Sequence, residues 1–252
     1  MIHSSMKMLS AGFAVILLSA AIARADEVDD LLALKARNRD RVKHFAAEFT
    51  VETDQLRSVP GAKTVHVRYQ LNLRRLPPGQ VKHPGLPWFA EINILEPGRS
   101  SIRIEGDAIE IQGPSGNWQA VALSPDQRRQ MTSLVEPFTG MTPSEHRRNF
   151  TMTILRRNNP IFGPKTVTLE SIPNGRERFF SKMEEDTRAD GLVLATRFFN
   201  ERGQETSRLR VTRSRTVNGI PVMEGMEAVS VTPAGDVVSR TTCTNVLVET
   251  QP

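Results

Sequence analysis

The chain has 252 residues, and its 33 Lys and Arg against 28 Asp and Glu give a formal charge of +5. That mild excess argues against nucleic acid as a partner. A single cysteine, Cys243, excludes an internal disulfide, and 6% aromatic residues are too few for the interfacial girdles of an outer-membrane barrel.

Residues 1–25 read as an export address. Lys7 supplies a positive n-region, Leu9 to Ala23 form an apolar stretch, and Ala23-Arg24-Ala25 offers the small-x-small pattern for cleavage after Ala25. The alternative is an uncleaved anchor, but an apolar run of about 15 residues falls short of the roughly 20 a spanning helix needs. Removing 25 of 252 residues leaves 227, and loss of Lys7 and Arg24 lowers the charge to +3. One domain over residues 26–252 is expected in a periplasmic setting, since all-β domains reach this length.

After the signal, Val28, Leu31, Leu32, Val42, Phe45, Ala46 and Phe49 recur at helical spacings behind the acidic Asp26-Glu27-Val28-Asp29-Asp30. They predict an amphipathic helix whose negative start suits its dipole, handing over to a strand near Ala46. The period then becomes two. Val65, Val67, Tyr69, Leu71 and Leu73 alternate with His66, Arg68, Gln70 and Asn72, a strand with one dry and one wet face. Ala90-Ile92-Ile94, Ile102-Ile104, Ile109-Ile111 and Trp118 to Val121 are further strands, and Leu76 to Pro87 is a long proline-rich loop.

Ser124-Pro125-Asp126-Gln127 is a capping box with proline at the first helical position, starting a helix that carries Met131, Leu134, Val135 and Phe138. Thr142-Pro143-Ser144-Glu145 repeats the formula, although Phe150, Met152 and Ile154 behind it alternate like a strand. Beyond them, Asn174-Gly175, Asp190-Gly191, Gly203, Asn218-Gly219 and Gly235-Asp236 punctuate short alternating runs, the signature of consecutive hairpins. The whole predicts a mainly β (α+β) fold of about eleven strands: a strongly curved antiparallel sheet, an unclosed barrel, with amphipathic helices as a lid over an apolar cavity.

The signal, the amphipathic helix, His44-Phe45-Ala46-Ala47-Glu48-Phe49-Thr50 and the meander that follows resemble the LolA-like family of outer-membrane lipoprotein-sorting proteins. The stretch from Leu95-Glu96-Pro97-Gly98-Arg99 to Arg103-Ile104-Glu105-Gly106-Asp107, then Ile109 and Trp118, is similar to the family's Pro-x-Arg strand and following hairpin. The stretch from Val217-Asn218-Gly219 to Cys243-Thr244-Asn245-Val246 resembles the end of its larger members. The resemblance implies an unclosed barrel with a helical lid and a periplasmic carrier of lipoprotein acyl chains or lipid, served by an inner- or outer-membrane receptor. One position departs: the carrier has a basic residue directly before that proline, helping to hold the lid shut, where this chain has Glu96.

No nucleophile elbow, zinc-binding helix, CxxC, phosphate loop or dinucleotide fingerprint occurs, so neither an enzyme nor a cofactor or metal is expected. His44, His66, His83 and His146 are far apart and read as surface or loop residues, and Glu184, Glu185, Asp186 and Asp190 as a solvated hairpin end. Cys243 reads as a small buried hydrophobe. Met131, Leu134, Val135 and Phe138, with Phe89, Ile92 and Ile94, are the candidate lining of an acyl-chain cavity, against ordinary core packing. Arg208, Arg210, Arg213 and Arg215 alternate along one strand as a candidate docking surface. A monomeric carrier is the leading expectation, and a non-enzymatic regulatory or scaffolding module that binds a partner protein is the alternative.

Overall fold

The computed structural model describes residues 27–54, 64–80, 87–105, 108–113, 115–122, 141–161, 163–175, 180–232 and 235–251. Residues 27–41 form helix α1. Then follow β1 (Val42–Asp54), β2 (Thr64–Arg75), β3 (Trp88–Glu96), β4 (Ser100–Glu105), β5 (Ala108–Gln112) and β6 (Trp118–Ala120). Helix α2 (Pro143–Asn149) leads into β7 (Phe150–Asn158), β8 (Thr166–Pro173), β9 (Lys182–Arg188), β10 (Val193–Phe199), β11 (Glu205–Val217), β12 (Ile220–Thr232) and β13 (Gly235–Thr250). The proposed signal, the predicted helix after Ser124 and residues 81–86 of the proline-rich loop lie outside the described residues.

All thirteen strands belong to one antiparallel sheet in the order β6-β5-β4-β3-β2-β1-β13-β12-β11-β10-β9-β8-β7. Every neighbour is consecutive in sequence except β1 and β13, which pair across the whole chain from Val42↔Thr250 to Asp54↔Val238. The sheet is a meander joined at its two ends, with β6 and β7 left as its edges, so the barrel does not close. Hairpin chemistry sets the connections. Asn218 and Gly219, with φ of 50° and 77°, make the β11–β12 turn, and Gly191 at φ 87° makes the β9–β10 turn.

The first helix ends earlier than its apolar spacing predicts. Val42, Phe45 and Phe49 stand on β1, where Phe45, Ala47 and Phe49 share one face by alternation. Their spacings of three and four satisfy a helix, but β1 sits between β2 and β13, and hydrogen bonding to both decides in favour of strand. At α2 the capping box is present as read: Glu145 N donates to Thr142 Oγ1 at 3.3 Å and Thr142 N to Glu145 Oε2 at 2.8 Å. The helix lasts seven residues, and the alternation of Phe150, Met152 and Ile154 is β7.

One face of the sheet carries two apolar clusters. The larger covers β1–β5 and β11–β13 and is built on Phe45, Leu71, Leu73, Trp88, Ile92, Ile104, Ile220 and Val248. The smaller joins Val28 and Leu32 of α1 to Phe150, Met152, Ile154, Leu169 and Phe180, with Met183 and Phe198 packed against them. Helix α1 lies over β7–β10, held by Lys35 Nζ to Glu185 Oε2 at 3.0 Å and by Asn38 Nδ2 donating to Asp190 O at 2.7 Å.

Candidate ligand-binding face

Cross-strand register sorts the larger cluster into rows. The lowest, Phe45, Leu73, Ala90, Ile104 and Ile109, is fully buried, as is most of the next, Ala47, Leu71, Ile92 and Ile102. In the third row Cys243, Phe49, Tyr69 and Ile94 stand side by side. The fourth runs Val211, Met226, Thr241, Val51 and Val67, and the fifth Leu209, Ala228, Ser239, Thr53 and Val65. Burial falls steadily along β2: Leu73 is 0% and Leu71 3% exposed, Tyr69 and Val67 are half-buried, and Val65 is 37% exposed. The same face is therefore a sealed floor at one end and, at the other, a mainly apolar rim into which Thr241, Ser239 and Thr53 are set. Every rim residue named above is partly open, Val65 most of all.

The third row is where polarity enters. The Phe49 and Tyr69 rings stack at 5.0 Å with 13° between planes. Burial pushes the Tyr69 hydroxyl up to about 12, with the Cys243 thiol adding to it. Burial likewise raises Cys243 to about 11, with Glu224 raising it further and Arg215 opposing. The thiol is thus protonated and sheltered, a packing group as the sequence suggested. Glu224, next to the Gly225 of β12 that pairs with Thr242, forms ion pairs with Arg215 Nε at 2.8 Å and Arg213 Nε at 3.6 Å.

Strand parity separates residues the sequence reading had grouped. Arg208 and Arg210 are on the outer face of the sheet, and Arg208 Nη1 donates to Glu205 Oε1 at 3.1 Å. Arg213 and Arg215 are on the inner face with Val222 and Val217. The four arginines therefore form no single docking surface, because the odd step from 210 to 213 changes face. Phe89 differs from Ile92 and Ile94 in the same way. Its ring lies on the outer face with the Arg74 guanidinium 5.1 Å from its centroid, so it is not part of the inner lining. Ile92 is in the sealed floor and Ile94 in the third row; Met131, Leu134, Val135 and Phe138 lie outside the described residues. Alternation in the sequence was a sufficient signal for both separations.

The acids around Asp190 are more ordered than a solvated hairpin end. Glu184, Glu185 and Asp186 belong to β9. Arg197 Nη2 reaches Glu184 at 3.1 Å and Asp186 at 3.7 Å on the outer face, and Lys182 Nζ reaches Glu184 at 2.9 Å. Glu185 faces inward to α1. Glu96, the departure before Pro97, is also on the outer face, with Arg68 Nη1 at 3.3 Å. Among the described residues, no three His, Cys, Asp or Glu side chains gather as a metal-holding group, and no helix is long and apolar enough to cross a membrane.

No family model matches the sequence, and no curated protein does. Solved structures do. A DUF1329 family protein from Desulfovibrio piger is 14% identical with a TM-score of 0.64, the match covering 88% of this chain and 92% of that one. A putative outer membrane lipoprotein-sorting protein domain from Vibrio parahaemolyticus is 10% identical with a TM-score of 0.62, over 89% and 93% of the two chains. A LolA superfamily protein from Nitrosomonas europaea is 15% identical with a TM-score of 0.55, over 91% and 95%. At these identities the likeness is one of fold: the chain has the open, curved antiparallel sheet of the LolA type.

Proposed function

We propose that the protein is a periplasmic, non-enzymatic binding or carrier protein for a ligand bearing acyl chains, cleaved after Ala25 on export. The observation that carries this reading is the graded inner face. An apolar sheet surface that ran uniformly into the core would be ordinary packing. Here the apolar pattern of Val51, Val67, Val211 and Met226 continues past the sealed floor into partly open positions. Chains laid on that rim would be driven by burial of methylene groups at about 0.8 kcal/mol each. The fold likeness to a lipoprotein-sorting domain supports the same reading.

Ile92, buried in the floor, is a poor place to test uptake, since a charge there would unfold the protein before it blocked a ligand. Rim residues are better. Val67→Glu and Met226→Glu are expected to remain folded and to lose uptake of acyl chains, measured by native mass spectrometry after incubation with phospholipid vesicles. Folded variants that take up lipid as well as the parent would remove the rim from the site. A parent protein that stays bare with lipids and with acylated peptides would favour a module that binds a partner protein, for which the outer-face Arg208 and Arg210 are candidate contacts.

A further inference from the structure

We propose that Arg213 and Arg215 form the headgroup station of this inner face, selecting a ligand whose acyl chains are joined to a phosphate headgroup of net negative charge, with no ammonium to offset the phosphate; the inference rests on the carrier reading above. The two guanidiniums stand on the inner face of β11, on the same side as the apolar rows, with side chains 60% and 50% exposed. Both turn to one carboxylate, Glu224, whose side chain is 19% exposed. Two positive charges against one negative leave an excess of +1 at this spot, and each guanidinium engages Glu224 through its Nε edge. The terminal nitrogens of both have no other partner among the described residues and are free to donate to phosphate oxygens.

Position completes the argument. Glu224, next to the Gly225 that pairs with Thr242, borders the row of Cys243, Phe49, Tyr69 and Ile94; Arg213, opposite Gly225 between two register shifts, meets Glu224 there, and Val211 and Met226 belong to the next row outward. A phosphate held by the two arginines would sit at the boundary of an apolar surface, with the half-open row of Met226, Thr241, Val51 and Val67 leading away from it across four other strands. Charged head and apolar strip adjoin, as an amphiphile requires.

The test offers the purified protein vesicles of phosphatidylglycerol or of phosphatidylcholine and reads bound lipid by native mass spectrometry. The parent is expected to prefer phosphatidylglycerol about tenfold, the size of one charge-assisted contact. Arg213→Gln/Arg215→Gln is expected to lose that preference while keeping phosphatidylcholine uptake, and Glu224→Gln to sharpen it. Equal uptake of both lipids by the parent overturns the headgroup station and leaves the carrier reading standing. So does a preference that survives in the double variant. Binding of inorganic phosphate that depends on the arginines, without any lipid preference, assigns the pair to free phosphate and overturns the proposal. A parent that takes up neither lipid overturns the carrier reading and this inference with it.

Discussion

The two halves of the inner face solve the same problem differently. Over β7–β10 the apolar surface is covered by α1, whose Val28 and Leu32 are as buried as the Leu169 they share a cluster with. Ion pairs lock the helix at both ends: Glu27 with Arg157, Asp29 with Arg147 at 2.7 Å, and Asp40 with Arg75 at 3.0 Å. Over β1–β5 and β11–β13 burial is complete at the floor, and among the described residues the apolar pattern runs on into partly open positions. Among the described residues α1 is the helix that packs on this face, and the half it leaves uncovered is the one that carries the proposed site.

Mutation can sharpen this contrast, and the largest effects belong to the two sealed floors. Leu73→Ala and Leu169→Ala each empty a site at 0% exposure, and both should cost about 2–5 kcal/mol in urea unfolding. Equal losses would show that both halves are closed at the base. Leu32→Ala, on α1, should cost about 2–3 kcal/mol, because a helix face can relax further than a strand interior. It should expose the β7–β10 face to a hydrophobic dye without changing lipid uptake by the rim. A loss of uptake in that variant would mean that the halves are not independent.

The rim should behave in the opposite way. Val67→Ala and Met226→Ala remove half-buried groups and should cost less than about 1 kcal/mol, while lowering lipid uptake more than Leu169→Ala does. Stability losses as large as those at Leu73 would make the rim ordinary core. The smallest expected effect is a pH dependence in the helix half. Burial lowers the pKa of His146 on α2; nearby Lys35 and Arg39 lower it too, against Glu185 and Glu145. A depressed histidine is favoured neutral in the fold, so its contribution is complete above about 6.5 and lost as pH falls toward the folded value. Between pH 7.5 and 5.5 the parent should therefore lose more stability than His146→Gln. Identical losses would place His146 in contact with water.

How much of this was legible in the sequence differs by element. Strand β2 was readable because one face is dry and the other wet, so Val65 to Leu73 alternate without interruption. The hairpins were readable because Asn218-Gly219 and Asp190-Gly191 supply the positive φ their turns need. Strand β9 was not: Lys182 to Arg188 is almost wholly polar, because its outer side is an ion-paired lattice and its inner side includes Glu185 facing the helix. The boundary of α1 was misplaced because Val42, Phe45 and Phe49 fit two periods at once, and only pairing with β13, some 200 residues away, selects the strand.

Alone, then, the amino-acid order determined the antiparallel meander, its turns and the parity of the strands that alternate clearly. Those follow from φ preferences and from a side-chain period of two, both local properties. Parity also contained the split of Arg208 and Arg210 from Arg213 and Arg215, and of Phe89 from Ile92. Which rows become floor and which become rim was decided by the tertiary structure. Burial depends on what the neighbouring strands and α1 place above a residue, and Val65 and Leu73 carry the same alternating signal while lying at opposite ends of that gradient. The approach of Arg213, Arg215 and Glu224 to Cys243, Phe49 and Tyr69 was decided there too, since it rests on a register between the first strand and the last that no local pattern encodes.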